Sequence, residues 1–398
     1  MEPMLKGLKV LDLSRYISGP FAGMLLGDLG ADVIKVEKAG RGDDTRGFVP
    51  KINGESVYTF AVNRSKRSVE VNFRTEAGQA LLLDLVREAD VLIENFRPGT
   101  MEKMGCGWDV LHKANPRLIM VSISGFGADG PYRDKPGFDA AIQAMSGLMS
   151  VTGDPDGAPM THGVFTVDHV TAIYAALAIL AAYIARERTG EGQLIELSLL
   201  ECAATLLLCG IPNQAVLGET AQRVGNQDRY LSPGNCYRTA DGGYILLIAG
   251  SQPHFTLLCE AMGQPGLLED ARFATQAARF EHRDEIDATV GAWMLRHSTD
   301  EAQRILDAHG LVSSRVEDLA DVVKNPQLHH RKKLLELQHP VMGKVMMMGM
   351  PYRFSGQEWR PERPCPVLGQ HNREVLQEWL GLDEEQVERL RQERAITA

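Results

Sequence analysis

Residues 8–37 read LKVLDLSRYISGPFAGMLLGDLGADVIKVE, and this stretch decides the fold. Leu8–Leu13 is a short apolar run of strand length. Gly19-Pro20 opens a helix, since proline in a first turn has a pre-set φ and no amide to lose. The helix continues through Phe21–Leu29 and stops at Gly30. Ala31–Glu37 is a second strand. Strand, helix and strand within about 30 residues form a βαβ unit, so the two strands run parallel. The turn after the first strand holds no G-x-G-x-x-G, which argues against a nicotinamide dinucleotide site.

The same reading extends along the chain. Val69–Asn72, Ala89–Glu94, Arg117–Ile123 and Gly192–Ser198 read as further strands, with a helix from Thr75 to Glu88. The fold class is therefore α/β with a parallel sheet, and ligands of such sheets bind beyond the carboxyl ends of the strands. The connecting loops carry Lys38, Arg41, Arg46, Arg64, Lys66, Arg67, Arg74, Arg97 and Lys103, in a chain of net charge −10. Gathered at one sheet edge, these cations suit a polyphosphate. Singly, each reads as a solvated surface charge.

Thr161–Arg188, THGVFTVDHVTAIYAALAILAAYIARER, has the apolar spacing of a long helix with an alanine-rich filling that suits close packing. Arg186-Glu187-Arg188 and Gly190 end it. Asp168 stands where the periodic pattern begins. One reading makes it the N-cap, accepting first-turn amides. The other makes it a fixed carboxylate, kept ionised by the helix dipole and able to act as a nucleophile. The two are compatible.

The chain has 398 residues, 44% hydrophobic and 24% charged, which predicts a soluble protein of two domains. The acidic balance disfavours nucleic-acid binding. Cys106, Cys202, Cys209, Cys236, Cys259 and Cys365 form no C-x-x-C pair and read as buried thiols of a cytoplasmic protein. The N-terminus shows no apolar signal core. The run Val170–Ala185 is short for a bilayer span, so no membrane partner is expected. Beyond residue 210 the pattern shifts to a smaller α+β domain. There Tyr237–Thr239 and Tyr244–Ile248 read as a hairpin. Met342–Met350 reads as extended and Glu384–Glu393 as a terminal helix.

Seven segments, in order, resemble one family: VLDLSRYISGPFAGMLLGDLGADVIKVE, GDDTR, NRSKRSV, ADVLIENFRPGTMEKMG, NPRLIMVSISGFGADGPY, PGFDAAIQAMSGLM, and the stretch from Asp168 through RERTGEGQLIELSL. They are similar to class III CoA-transferases of the CaiB/BaiF type. The resemblance implies a Rossmann-like large domain from both chain ends: 1–210 and 326–398, with 211–232 as linker and 233–325 as the small α+β domain. It also implies an interlocked homodimer. It makes Asp168 the catalytic residue, relaying acyl-CoA through an anhydride and an aspartyl-CoA thioester, with coenzyme A as substrate and no metal. CoA-contacting positions would be Ile17, Ser18, Lys38, Val71, Arg74, Asn95, Phe96, Arg97, Lys103, Gly137, Phe138 and Asp139.

Two rivals stand beside this. A 2-methylacyl-CoA racemase needs a second base, carried by histidine in a Gly-His-Asp context. Here that context is Gly137-Phe138-Asp139, and phenylalanine accepts no proton. His169 is the remaining candidate base, but successive helical residues do not share a face. The other rival is a non-catalytic CoA binder. The expected acids are short carboxylic or dicarboxylic acids, with Arg15 or Arg46 available for a distal carboxylate. No aromatic cage for a quaternary ammonium is visible. Ala249–Gln252 reads either as a stiff lid or as a strand-to-helix turn.

Overall fold

The computed structural model describes residues 2–356 and 363–397. The chain divides into two compact units: Met1–Leu148, His162–Cys209 and Gln327–Ala398 form one, and Met149–Thr161 with Gly210–Pro326 the other.

The first unit is built on six parallel strands: β1 (Lys9–Asp12), β2 (Asp32–Lys38), β3 (Lys66–Val71), β4 (Val91–Glu94), β5 (Ile119–Ser124) and β6 (Gln193–Ser198). Their order across the sheet is β3-β2-β1-β4-β5-β6. This is the doubly wound order, in which the direction of winding reverses between β1 and β4. The central strands β1, β4 and β5 are mainly apolar and buried on both faces, whereas β2, β3 and β6 carry charged or polar residues. One face packs Val10, Ile93 and Val121 against α1 (Ser18–Asp28), α4 (Asp139–Ser146), α5 (Thr166–Thr189) and α6 (Leu199–Thr205). The short helix α2 (Val57–Asn63) precedes β3. The other face packs Leu11, Ile34 and Leu92 against α3 (Glu76–Glu88), α7 (Asn372–Leu380) and α8 (Glu384–Gln392). C-terminal residues also close the edge strand: Glu70 N–H donates to Asn372 Oδ1 (2.8 Å) and Asn72 N–H to the Ala395 carbonyl (2.7 Å).

Helix α5 buries Ala172, Ala175, Ala176 and Ile179. Its small side chains let it lie close to α1. It is not enclosed on all sides: Ile173, Leu177 and Ile184 stand 51%, 61% and 63% exposed on its other face. By length and composition alone α5 is long and apolar enough to cross a membrane.

Four of the nine cations read as a polyphosphate edge are internal, which corrects that expectation. Strand β3 starts at Lys66, not Val69, so Arg64, Lys66 and Arg67 sit at the amino end of their strand. Arg64 grips Asp28 through Nε (3.0 Å) and Nη2 (2.5 Å). Lys66 is fully buried and donates to Asp12 Oδ2 (2.7 Å), Asn63 Oδ1 (2.7 Å) and the Pro20 carbonyl (2.7 Å). Arg67 pairs with Asp32, Glu374 and Glu378. Arg46 is bidentate to Glu37 (2.8 and 2.7 Å). A buried cation persists only with partners at hydrogen-bond distance, and each of these has them.

The second unit holds an antiparallel sheet of β7 (Gly234–Arg238), β8 (Tyr244–Ile248) and β9 (Val312–Arg315). Helices Gln252–Met262 and Arg283–Met294 pack Phe255, Leu258, Val290 and Trp293 into its core. In Ala249–Gln252 the first two residues are buried, Ser251 caps the following helix, and the buried Arg279 donates to the Gly250 carbonyl at 2.8 Å and to Gln252 Oε1 at 2.9 Å. That geometry is a strand-to-helix turn. The segment 211–232, read as a linker, groups with this unit and is helical in Gly210–Leu217. In the first unit, β10 (Leu334–His339) and β11 (Gly343–Met348) make a hairpin over the Met-rich stretch. Cys209 is exposed and Cys236 half-buried, so the six thiols are not uniformly interior.

Candidate active site

Because the six strands are parallel, the residues after them collect at one edge. Ile17 and Ser18 follow β1, Lys38 ends β2, Val71 ends β3 and is followed by Arg74, and Asn95, Phe96 and Arg97 follow β4. Lys103 lies in the next helical turn, Thr100–Lys103. Gly137, Phe138 and Asp139 close the loop after β5. Helix α5 is the crossover into β6, so its N-terminus, with Asp168, lies at this edge too.

The turn after β1 is held in an uncommon shape. Tyr16 has φ +64°, a region that costs a bulky residue about 1–2 kcal/mol. Asn95 fixes it: its Oδ1 accepts the Arg15 amide (2.7 Å), and its Nδ2 donates to the Arg15 carbonyl (2.6 Å) and reaches Ser18 Oγ (3.5 Å). Asn95 follows β4 and Arg15 follows β1, so this clamp sits at the reversal of the sheet, where ligands of doubly wound sheets bind.

Below the turn lies a charged network. Asp12 accepts from Ser14 N–H (3.0 Å) and Lys66. Lys35 lies 3.3 Å from Asp43 and 3.7 Å from Asp12. Burial pushes the Asp12 carboxyl up, but Lys35 and Lys66 overcome this and hold it below the usual range. Burial lowers Lys66 to about 8. Above the network a cavity of about 140 Å³ is lined by Arg15, Lys38, Arg41, Phe73, Phe96 and Met104. It offers aromatic faces beside exposed cations. Arg15 is engaged, paired with Asp44 at 2.8 Å and stacked over Phe96 at 5.2 Å. Arg46, bidentate to Glu37, is not a spare cation for a distal carboxylate, whereas the Arg15 side chain stays 44% exposed.

Asp168 is the third residue of α5, not its cap; Phe165 holds the capping position. Asp139 takes the cap's role from outside the helix. It is buried, and its Oδ2 accepts the amides of Val167 (2.8 Å) and Asp168 (3.0 Å). Its carboxylate is thus turned inward. Gly137 lets this loop approach the end of β5: an added Cβ would lie 3.0 Å from the Gly125 Cα. Burial pushes the Asp168 carboxyl up to about 7, Asp139 adds to the rise, and a hydrogen bond from Ser18 opposes it. Burial is the largest cause, so this carboxyl is harder to ionise than expected of a fixed, ionised group. His169 turns Nδ1 to the Phe165 carbonyl (2.7 Å) and its ring to Phe21 (4.8 Å).

Five aromatics from separate segments form a row. Phe138 meets Tyr16 (5.6 Å), Tyr16 meets Phe48 (6.2 Å), Phe48 meets Tyr58 (5.8 Å), and Tyr58 meets Phe165 (6.1 Å). Its two ends adjoin Asp139 and the start of α5. The sequence hides this row because no two of its members are neighbours. The role of Asp139 could have been suspected, since a helix starting Phe-Thr-Val-Asp has no acceptor at its cap.

Among the described residues no group of three or more His, Cys, Asp or Glu could hold a metal ion. The arrangement offers a desolvated carboxylate of raised basicity, suited to attack on a carbonyl carbon.

A model of CoA-transferase family III matches residues 5–372. The chain is 39% identical to the succinyl-CoA–D-citramalate CoA-transferase of Chloroflexus aurantiacus, over 98% of each chain. It is 37% identical to the succinyl-CoA:glutarate CoA-transferase of Mus musculus, over 98% of this chain and 89% of that one. A solved structure, the crystal structure of a CAIB/BAIF family protein from Brucella suis, superposes with a TM-score of 0.88 at 36% identity, over 95% of this chain and 100% of that one. With the family model spanning nearly its whole length, the chain belongs to CoA-transferase family III.

Proposed function

We propose that this family III CoA-transferase moves CoA from a succinyl-CoA-like donor to a free dicarboxylic acid, with Asp168 as the nucleophile. The observation that carries this is the placement of Asp168. A carboxyl raised to about 7 stands at the sheet edge that also bears the predicted CoA-contacting positions, and its helix amides are already satisfied by Asp139. The acyl class is drawn from the relatives, whose names pair succinyl-CoA with D-citramalate and with glutarate.

In this mechanism Asp168 attacks the thioester carbonyl, forming a mixed anhydride and releasing CoA thiolate. The thiolate attacks the aspartyl carbonyl, giving an aspartyl-CoA thioester and the free donor acid. The acceptor carboxylate attacks that thioester, re-forming an anhydride and thiolate. The thiolate then takes the acceptor acyl group and leaves Asp168 as a carboxylate. Splitting one exchange between weak nucleophiles into such steps is the gain of covalent catalysis. Exposed Lys38, Arg41, Arg74, Arg97 and Lys103 would meet the CoA phosphates, and the cavity beside Phe73 and Phe96 would take its base. Ile17 and Ser18 would face the reacting end, beside Phe138.

We propose a homodimer as the working unit, supported by the exposed apolar stripe of α5. A racemase is disfavoured because Phe138 offers no base and His169 is turned to a backbone carbonyl.

Mass spectrometry of the protein after succinyl-CoA, quenched with hydroxylamine, tests the reading. A hydroxamate on the peptide holding Asp168 supports it. A protein that binds CoA but shows no adduct, or one at another residue, overturns it.

A further inference from the structure

Helix α5 begins without a cap of its own, and what replaces the cap is a chain of side-chain hydrogen bonds. Asp139, the first residue of α4, accepts the Val167 and Asp168 amides through Oδ2. Its Oδ1 accepts from Nε2 of Gln143, one turn along α4 and also buried. Gln143 Oε1 in turn accepts the His162 amide at 2.9 Å, in the segment leading into α5. The amide of Gln143 is therefore fixed in orientation. Its oxygen must face a backbone donor, so its nitrogen must face Asp139.

We propose that Asp139 and Gln143 are positioning residues, which together hold the first turn of α5 and leave the Asp168 carboxylate free to face Ser18 and the thioester. This rests on Asp168 being the nucleophile. An acidic side chain in a first turn is ordinarily drawn back to the free amides there. Here the Val167 and Asp168 amides are taken by Asp139, and the partner acting on Asp168 is Ser18 of α1. The histidines on either side of it in the sequence are turned elsewhere. His162 Nδ1 meets Thr166 Oγ1, and His169 meets the Phe165 carbonyl. On α6, Glu201 bonds Ser198. Asp139 is the charged neighbour, and two functions meet in it: it fixes the backbone of the nucleophile and it faces the carboxyl with like charge.

The test uses an exchange. Asp139→Asn keeps one oxygen for the amides but sets an NH2 against the NH2 of Gln143. Adding Gln143→Glu restores a donor–acceptor pair and leaves an oxygen for His162. Asp139→Asn should lower kcat by about 10- to 100-fold, as expected for a misplaced nucleophile, with KM for succinyl-CoA little changed. The double variant Asp139→Asn/Gln143→Glu should recover most of that loss. Unchanged kcat in Asp139→Asn overturns the proposal, as does a fall without recovery in the double variant. A readout independent of turnover is the thermal stability gained from Asp168→Asn at pH 8, measured once in the parent and once in the Asp139→Asn background. A smaller gain in the Asp139→Asn background supports the coupling, and equal gains overturn it. Full turnover by Asp168→Asn alone overturns instead the nucleophile reading, without reference to Asp139.

Discussion

Asn95 holds Arg15 by both of its backbone polar groups, accepting the amide at 2.7 Å and donating to the carbonyl at 2.6 Å. This joins the ends of β4 and β1 at the reversal of the sheet and keeps Tyr16 at φ +64°. Asn95→Ala removes both bonds, so the turn should relax toward a commoner backbone shape. The expected result is a KM for acyl-CoA raised about tenfold and a stability loss of about 1–2 kcal/mol. Steady-state kinetics with varied acyl-CoA and a urea titration measure the two. An unchanged KM would show that the turn keeps its shape without the clamp.

The raised carboxyl of Asp168 has a stability consequence with a definite sign. Its folded value, about 7, lies well above the ordinary range of an aspartate. Ionising it therefore costs the folded state, and the stability it contributes below pH 4 is lost as pH rises through 7. Asp168→Asn should abolish turnover yet be more stable than the parent at pH 8, by at most about 4 kcal/mol. The gain should shrink between pH 7 and 4 and vanish below. Denaturant titrations at pH 4, 6 and 8 check this. A variant less stable than the parent at pH 8 contradicts it.

The same group should set the acid limb of activity. In the free enzyme, kcat/KM should fall about tenfold per pH unit below about pH 7. Glu94 is a second carboxyl that burial pushes up to about 7, and it accepts the Phe96 amide at 2.8 Å. Glu94→Gln keeps an acceptor there and removes the titration. The limb should stay in place in Glu94→Gln, and a limb that disappears would assign it to Glu94.

The cations should separate into two classes. Lys38 and Arg97 are exposed at the carboxyl edge, so alanine at either should raise KM for CoA and weaken its salt dependence while stability holds. Lys66 is buried among Asp12, Asn63 and two backbone carbonyls. Lys66→Met strands Asp12 with less compensation and should cost about 3–5 kcal/mol. Melting curves beside CoA titrations distinguish the classes. A Lys66 variant with normal stability and lost CoA affinity would return it to the polyphosphate site.

That separation marks where sequence reading succeeds and where it stops. The βαβ pattern of residues 8–37 was legible because the two strands are short runs rich in Val, Leu and Ile on either side of a helix bounded by Gly19-Pro20 and Gly30. Asp168 was legible as the start of a helix, since the period of α5 is long. Its true surroundings were not. Its cap lies 29 positions back at Asp139, and the ring that meets Phe165 at the start of its helix, Tyr58, comes from a segment far away in the chain. Nor does a sequence show which charges turn inward. Lys66 and Arg67 look like a basic loop until the strand is seen to begin with them and Asp12, Asp32 and α7 are brought alongside.

The exposed side of α5 leads to the last prediction. Ile173, Leu177 and Ile184 recur at helical spacing and lie between half and two-thirds exposed, while the alanines opposite them are buried. A stripe of that kind on a helix beside the site calls for a cover of similar character, and a second copy supplies the same apolar stripe. Light scattering with size exclusion should give twice the 43.8 kDa of one chain. Leu177→Glu would place a charge in the middle of that contact, at a cost of several kcal/mol if it stays buried. The variant should either run as a single chain or be recovered folded in much lower yield. If the chains are interlocked, the second outcome is the one expected, because partners threaded through one another cannot separate without unfolding. A Leu177→Glu protein of parental mass, yield and melting temperature would show that this face is not the one a partner covers.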